Sequence, residues 1–285
     1  MKLPNQKKHS VLIALIHNNN LNRISVIRQN LKKLTNILSN QFNVSSVEIS
    51  YQPKLLPHGK FMSLRRELAY LILRNKWSNY KLIKITAIKK YTRMVISLLA
   101  ILKKYSLNIN SIRERWQKSS AIEMRVTDKH IRSWDMFLES NCETLLMFED
   151  DAIFKADSFE KLLYAVNEAH KIPRETLLYV DLAGGLPLQD LEISHLAKEK
   201  KDGITIYTKP VTNTGSAYLL NRSMAEEFKE LIVDYPNYRL FGGDWMMNQL
   251  FIDIERRNKK THCFHFEPSA LNHGSFTGDY SPWTR

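Results

Sequence analysis

Along this chain, short apolar runs alternate with longer stretches in which apolar residues recur at helical spacing. An apolar run at residues 11–16 is followed by a polar loop and then by residues 21–38, where apolar side chains recur every third or fourth position. The run predicts a buried strand and the spacing predicts an amphipathic helix. Strand, loop and helix in this order are the usual opening of a nucleotide-binding α/β domain.

The same pattern continues through most of the chain. Further strands are predicted at residues 44–51, 145–148, 177–182, 204–209, 217–220 and 262–266. Further helices are predicted at residues 126–139, 158–169, 223–233 and 245–251. Strands that alternate with helices in this way predict one α/β domain over residues 1–285, with a sheet flanked by helices.

Residues 60–118 depart from this pattern and form a predicted basic helical insertion. The segment has fifteen Lys or Arg residues and two acidic residues. Its net charge of +13 equals the formal net charge of the whole chain. One predicted apolar face contains Leu64, Leu68, Leu71 and Ile72, and a broader one extends over residues 83–102. Such a helix either packs on the core with a solvated basic rim or lies against an anionic membrane surface. Both interpretations stay open at this point.

Composition narrows the cellular setting. Two cysteines, Cys142 and Cys263, are too few and too far apart for a disulfide framework, so a reducing compartment is expected. The apolar run at residues 11–16 is short for a signal peptide, and none of the runs is long enough to span a bilayer. We therefore expect a cytoplasmic protein, peripheral at the inner face of the cytoplasmic membrane.

The strongest candidate for chemistry is an acidic motif after the predicted strand at residues 145–148. Glu149, Asp150 and Asp151 follow the strand directly, where open α/β sheets bind ligands. Three adjacent carboxylates repel one another unless a cation lies between them. Mg²⁺ or Mn²⁺ prefers such oxygen ligands and often shares them with substrate phosphates. The alternative is an acidic turn that caps the next helix.

Several segments then resemble one family. Residues 127–134 (TDKHIRSW) are similar to the Ser-His-(x)3-Trp helix of glycosyltransferase family 25, which contains lipooligosaccharide galactosyltransferases, although Thr127 replaces the usual Ser. The acidic motif, residues 214–220 (TGSAYLL) and residues 268–279 resemble later motifs of that family in the same order. Asn22 and Arg23 lie where the family has an Asp-Arg pair.

The resemblance implies a GT-A fold, which is a Rossmann-like mixed sheet flanked by helices, with one nucleotide-sugar site. It implies a metal-assisted, inverting transfer of a sugar, such as galactose from UDP-galactose, to a lipid-linked or lipopolysaccharide-type acceptor. Asp151 is expected to bind Mn²⁺ or Mg²⁺ directly, with Asp150 beside it. Glu149 is expected to contact the ribose of the donor or to support the residues that bind the metal. A C-terminal histidine often completes such sites, which makes His273 a ligand candidate or else a loop histidine bonded to backbone.

The remaining site candidates have rival roles. Asp244 opens a helix after two glycines, so it is our candidate base for the acceptor hydroxyl, or else that helix's cap. Asp181 ends a buried strand and is the second candidate base. Donor or acceptor contacts are predicted for Asn22, Arg23, His130, Ser216 and Trp245, with Tyr218 as a possible stacking residue better suited to the core.

Two other functions compete with glycosyl transfer. A non-catalytic scaffold or partner protein would keep the fold without turnover. A nucleic-acid-binding protein would explain the charge, but residues 60–118 have no recognised module and no Gly-rich loop, so we expect no nucleic-acid partner.

Overall fold

A computed structural model of the protein describes residues 8–50, 60–81, 87–106 and 110–280. Across these ranges the chain forms eleven strands and eight helices. The strands are β1 (Ser10–Ile16), β2 (Asn43–Ile49), β3 (Thr144–Glu149), β4 (Ala152–Phe154), β5 (Leu177–Asp181), β6 (Ala183–Gly184), β7 (Ala197–Lys201), β8 (Ile204–Tyr207), β9 (Ala217–Asn221), β10 (Thr261–Phe266) and β11 (Leu271–His273). The helices are α1 (Leu21–Ser39), α2 (Lys60–Tyr80), α3 (Ala87–Ser106), α4 (Asn110–Glu139), α5 (Ser158–Lys171), α6 (Arg222–Asp234), α7 (Gly243–Arg256) and α8 (Gly274–Thr277).

Eight strands form one large mixed sheet in the order β2-β1-β3-β9-β5-β10-β8-β7. Strands β2, β1 and β3 are parallel, and β5 is parallel to β10. Strand β9 lies between β3 and β5 and runs antiparallel to both. The carboxyl ends of β1, β3, β5 and β10 therefore lie at the same edge of the sheet. This architecture confirms the predicted α/β class and the mixed sheet.

The central strand β3 is covered on both faces, as its apolar run predicts. Its four residues from Leu145 to Phe148 are completely buried. Because successive side chains of a strand point to opposite faces, Leu145 and Met147 join one half of the core, and Leu146 and Phe148 join the other. The sheet thus separates two apolar layers and projects the acidic residues beyond its edge.

A second, three-stranded sheet positions the C-terminal part of the site. Strand β11 pairs antiparallel with β4, and His273 lies opposite Ala152 in that register. On its other edge β11 pairs in parallel with β6, which follows β5. Residues distant in sequence are thereby held beside the acidic motif, immediately after the carboxyl end of β3.

The basic segment is divided between the core and the surface. Leu73, Trp77 and Tyr80 of α2 are buried in the main core, whereas the predicted apolar face at Leu64, Leu68, Leu71 and Ile72 is half-buried or exposed. The prediction chose the wrong side of α2 because Trp77 and Tyr80 outweigh smaller leucines in packing area.

Helix boundaries also differ from the prediction around the end of the basic segment. Helix α4 begins at Asn110 and continues to Glu139, whereas the sequence predicted a helix only from residue 126. The segment 60–118 includes residues 82–86 and 107–109, which lie outside the described residues, and the predicted apolar positions 83 and 85 are among them. In the described part of the chain, none of the helices has the length and apolar character needed to cross a membrane.

Candidate active site

One cavity of ≈ 500 Å³ opens where β3, α2, α4, α7 and the β11–α8 segment meet. Acidic groups on its wall come from the end of β3 and the start of α7, and also from α2 and α4. Basic and aromatic groups come mainly from α2. The polar residues and aromatics that line it include Arg66, Tyr70, Arg74, Glu123, Glu149, Asp151, Asp244, Trp245, His273 and Ser275.

Asp151 is the carboxylate of the motif with unused acceptor capacity. The side chain is buried, and its Oδ2 accepts a hydrogen bond from the Ser275 hydroxyl at 3.4 Å. His273 Nδ1 lies 3.6 Å from the same oxygen. Asp151 Oδ1 is buried and has no hydrogen-bond partner among the described residues. A buried carboxylate oxygen without a partner is costly, so this atom is suited to a cation or a donor supplied by a ligand.

His273 is held beside Asp151 by the short helix α8. Its Nδ1 accepts a hydrogen bond from the Ser275 backbone N–H at 3.2 Å, which caps that helix. The Gly274 N–H donates to the Asp151 carbonyl at 2.8 Å. The structure therefore shows the backbone contact predicted for His273 as a loop histidine, and it places the ring beside Asp151, where the role of metal ligand stays a prediction. A cation bound at Nδ1 would compete with the Ser275 N–H for the same lone pair.

Asp150 faces away from the cavity, in contrast to its predicted place beside Asp151. Its Oδ1 lies 3.7 Å from an Arg23 guanidinium nitrogen, and its Oδ2 accepts from the Asn18 N–H at 3.4 Å. Burial raises the pKa of Asp150 to about 6, while Arg23 and Lys129 act in the opposite direction. Adjacent residues in the turn after β3 point in different directions, so only one of the two aspartates reaches the cavity.

Two buried basic residues, Arg23 and Lys129, lie where the loop after β1 meets the turn after β3. Arg23 is buried and its Cζ lies 4.6 Å from the centroid of the Tyr280 ring, whereas Asn22 is exposed and does not line the cavity. Lys129 is also buried and donates to the His17 carbonyl at 2.6 Å. Burial lowers the pKa of Lys129 to about 8. Of the predicted Asn22–Arg23 pair, only Arg23 supports the acidic motif.

Glu149 ends a buried chain of hydrogen bonds that starts in the core. Trp134 Nε1 donates to the Tyr218 hydroxyl at 2.8 Å, and that hydroxyl lies 3.1 Å from His130 Nδ1. His130 Nε2 lies 3.0 Å from Glu149 Oε1. Burial lowers the pKa of His130 to about 4, so the ring is neutral. Tyr218 can then donate to Nδ1, which leaves the Nε2–H to donate to Glu149.

This chain assigns positioning roles rather than ligand contacts to two predicted residues. His130 and Tyr218 are buried, and neither lines the cavity. Burial and the charge of Asp151 raise the pKa of Glu149 well above its ordinary value. The carboxyl of Glu149 is the member of this chain that reaches the cavity.

Asp244 lies in the first turn of α7 and faces the same cavity. The N-cap of α7 is Gly242, and Asp244 lies two residues further along, in the first turn. Its carboxylate accepts hydrogen bonds from the first-turn N–H groups of Asp244 and Trp245, so the rival role in capping the helix stays a prediction. Burial raises the pKa of Asp244 to about 6. A Cβ at Gly243 would lie 2.8 Å from His130 Nε2, so glycine is needed there for α7 to approach the buried chain.

The wall formed by α2 was missed in the sequence analysis. Arg66, Tyr70 and Arg74 recur at every fourth position and therefore share one side of the helix. The Tyr70 hydroxyl lies 3.2 Å from Glu123 Oε2 and accepts the Gly242 N–H at 2.7 Å. That spacing was a readable signal, but it was hidden by the assignment of the whole segment to an insertion.

Trp245 of α7 lies next to the side of α2 that carries Tyr70 and Arg74. Its ring lies edge-on to Tyr70 at 6.0 Å, and the Arg74 Cζ is 5.9 Å from its centroid. The side chain is half-buried and lines the cavity, so it is placed to contact a ligand there.

Two predicted residues lie away from this cavity. Asp181 accepts hydrogen bonds from the Tyr179 hydroxyl at 3.0 Å and the Asn213 N–H at 2.7 Å, and it lines a different pocket beside His265. Ser216 is buried; its carbonyl accepts the Glu149 N–H at 2.7 Å. The structure therefore does not bring the second candidate base to Asp244 and Asp151.

Among the described residues, no group of three His, Cys, Asp or Glu side chains is arranged to enclose a metal ion. A cation that shares its coordination with substrate phosphates needs only one or two protein carboxylates, so the cavity still offers a suitable donor set in Asp151 and His273. No protein-family model matches the chain, and no curated protein matches it at a significant level.

Proposed function

We propose that the protein is a glycosyltransferase that moves a sugar from a nucleotide-sugar donor to a hydroxyl of a surface-glycan acceptor. The observation that carries this proposal is the convergence of Asp151, His273 and Asp244 in one cavity, with a buried Asp151 oxygen that has no hydrogen-bond partner in the described part of the chain. The cavity volume of ≈ 500 Å³ suits a small-molecule ligand. An acceptor of the lipopolysaccharide type and a UDP-galactose-like donor are inferred from the resemblance.

The sheet supports a GT-A fold as the finer form of the α/β class. Parallel strands β2, β1 and β3 form a Rossmann-like half, and the antiparallel strand β9 separates them from β5. The cavity lies beyond the carboxyl end of β3, where open α/β sheets bind nucleotides.

Asp151 and His273 are the residues that would hold Mn²⁺ or Mg²⁺. When bound, the cation would neutralise charge on the departing diphosphate. Glu149 is held by His130 at 3.0 Å, so it offers a fixed acceptor for a hydroxyl of the donor. Asp150 stabilises the turn through Arg23 and is not part of the proposed ligand set.

Asp244 is the proposed base. It would take the proton of the acceptor hydroxyl while the acceptor oxygen bonds to the anomeric carbon. The bond from that carbon to the diphosphate breaks at the same time, and the diphosphate leaves with the electron pair. A pKa of about 6 leaves Asp244 ionised at neutral pH and makes it a stronger base than an ordinary aspartate.

A thermal-shift panel tests this proposal. CMP, UDP and GDP would each be added with and without Mn²⁺ to the wild-type protein and to Asp151→Ala. A ligand that binds only the folded state raises its stability. We expect one nucleotide to raise the melting temperature only with Mn²⁺, and the variant to lose that rise. If no nucleotide has an effect, the non-catalytic scaffold becomes the better account.

A further inference from the structure

Helix α3 presents an apolar stripe that nothing in the described part of the chain covers. Six large side chains share one side of the helix at the spacing i, i+3, i+4, i+7, i+8 and i+11. They are Tyr91, Met94, Val95, Leu98, Leu99 and Leu102, and their exposed fractions range from 36% to 64%.

The described side chains of α3 that are partly buried lie to one side of this stripe. The helix packs against α2, and its partly buried described residues are Ser97 and Ile101. Both lie outside the centre of the apolar stripe when the positions are placed at 100° per residue. Helix α2 differs sharply, because it buries Leu73, Trp77 and Tyr80 in the core. Core packing therefore accounts for α2 and leaves the apolar face of α3 unexplained.

Charge indicates what covers this face. The sequence of α3 contains five Lys or Arg residues and no Asp or Glu. Two copies of the chain, each with a formal charge of +13, would repel one another if they met through this helix. An anionic lipid surface satisfies both features, because it buries apolar side chains at the level of the headgroups and attracts the positive charge of the helix.

We propose that α3 is a membrane-docking helix that lies in the surface of a bilayer containing anionic phospholipids. The apolar stripe enters the headgroup region, and the net positive charge of the helix is attracted to the lipid phosphates. Because α2 lines the candidate active site through Arg66, Tyr70 and Arg74 and also packs on α3, docking would bring the cavity to the membrane surface. The inference does not depend on the proposed reaction, since it concerns binding to lipid alone.

Sedimentation with vesicles tests the proposal. The full chain would be mixed with vesicles of phosphatidylcholine, or of phosphatidylcholine with phosphatidylglycerol, at low and high salt. We expect binding to the anionic vesicles that weakens as salt screens the charges. Absence of binding at low salt would overturn the proposal, and so would equal binding to neutral and anionic vesicles.

A matched pair of variants locates the contact. Leu99→Glu places a carboxylate in the stripe, and Val233→Glu makes a similar change at a residue of α6 that is 75% exposed. Loss of a leucine-sized apolar contact predicts at least about a tenfold weaker binding for Leu99→Glu. Val233→Glu should bind as the wild type does. Equal losses in both variants would contradict a specific role of α3.

Folding and self-association are separated by two further measurements. Leu99→Ser removes the apolar contact without adding charge, so it should also weaken vesicle binding while its melting temperature stays that of the wild type. Sedimentation velocity without lipid should show no dimer of the wild type that forms through the apolar stripe and is therefore lost in Leu99→Glu. A dimer of that kind, or binding to DNA in place of vesicles, would overturn the membrane assignment.

Discussion

Two strands of the main sheet end in or just before buried carboxylates at the same edge, yet the two carboxylates differ in the hydrogen bonds that they accept. At the end of β5, Asp181 Oδ2 accepts both the Tyr179 hydroxyl and the Asn213 N–H. Beyond the end of β3, Asp151 accepts one side-chain hydroxyl at 3.4 Å and keeps Oδ1 without a partner in the described structure.

This difference shows that a carboxylate at a strand end is not by itself a site. The bonds that Asp181 accepts stabilise the fold, and they restrain its side chain. The Asp151 oxygen without a partner lowers the stability of the free protein. Its burial becomes favourable only when a ligand or cation binds to it. The two strand ends therefore divide into a structural carboxylate and a proposed functional one.

The largest expected effect follows from replacing Asp151. Asp151→Asn should reduce glycosyl transfer more than about 10³-fold, because the charge that holds the cation is lost. The free protein should keep its melting temperature or gain slightly, since one of three adjacent carboxylates is removed. Turnover of the nucleotide sugar and a melting curve without ligand measure the two effects.

The control for that variant is Asp181→Asn, which makes the same chemical change at the other strand end. It should retain metal-dependent nucleotide binding. A loss of binding in Asp181→Asn equal to that in Asp151→Asn would remove the distinction between the two strand ends.

Replacing Asp244 should have the next largest effect. Asp244→Asn removes the proposed base and should lower turnover roughly 10²- to 10⁴-fold while donor binding persists. In the wild type, kcat/KM should fall as pH decreases below about 6, because Asp244 becomes protonated there. A pH profile of wild type and variant checks this. An unchanged inflection in Asp244→Asn would assign the titration to another group.

Stability should change in the opposite direction in that variant. Burial raises the pKa of Asp244 from 3.8 to about 6, so ionisation costs folding free energy above that pH and nothing below both values. Asp244→Asn should raise the free energy of unfolding by roughly 1 to 2 kcal/mol at pH 8, because contact with cavity water limits the cost. The gain should disappear as pH falls below about 4, as measured by urea unfolding at both pH values.

Truncation of Asp181 should lower stability rather than ligand binding. Asp181→Ala leaves the Tyr179 hydroxyl and the Asn213 N–H buried without their acceptor. The expected loss is roughly 2 to 4 kcal/mol of unfolding free energy. Urea unfolding measures it, and a variant as stable as wild type would contradict a structural role.

The smallest effect is expected for the buried chain behind Glu149. Tyr218→Phe removes the hydroxyl that links Trp134 to His130 and should cost roughly 1 to 3 kcal/mol of stability. Turnover should fall several-fold, because His130 then holds Glu149 less firmly. Steady-state kinetics with saturating and limiting donor would separate this positioning effect from lost stability, which alone changes neither KM nor kcat of the folded fraction.

The fold was predictable where the apolar pattern was simple. The run at Leu145–Phe148 predicted a strand buried on both faces, and α1, α5 and α6 were predicted to within about two residues of their ends. Helix α7 was predicted only to residue 251, whereas it continues to Arg256. Asp151, His273 and Asp244 were predicted as members of one site, and the structure places all three on one cavity.

Other features depended on contacts that no local pattern contains. Asp150 and Asp151 are adjacent in sequence, and only the position of Arg23 shows which of them turns from the cavity. Asp181 was predicted as a base, because its strand position does not reveal the two donors that occupy it. Helix α2 was assigned to an insertion because its charge concealed the regular spacing of Arg66, Tyr70 and Arg74.

Titration of Mn²⁺, followed by the electron paramagnetic resonance signal of the free ion, tests the central claim most directly. It would be done with the nucleotide that stabilises the protein, on wild type, Asp151→Asn and Asp181→Asn. We predict that wild type and Asp181→Asn reduce the free-ion signal beyond a nucleotide-only control, and that Asp151→Asn does not. Equal reduction of the signal by Asp151→Asn would show that the cavity beyond β3 does not hold the cation.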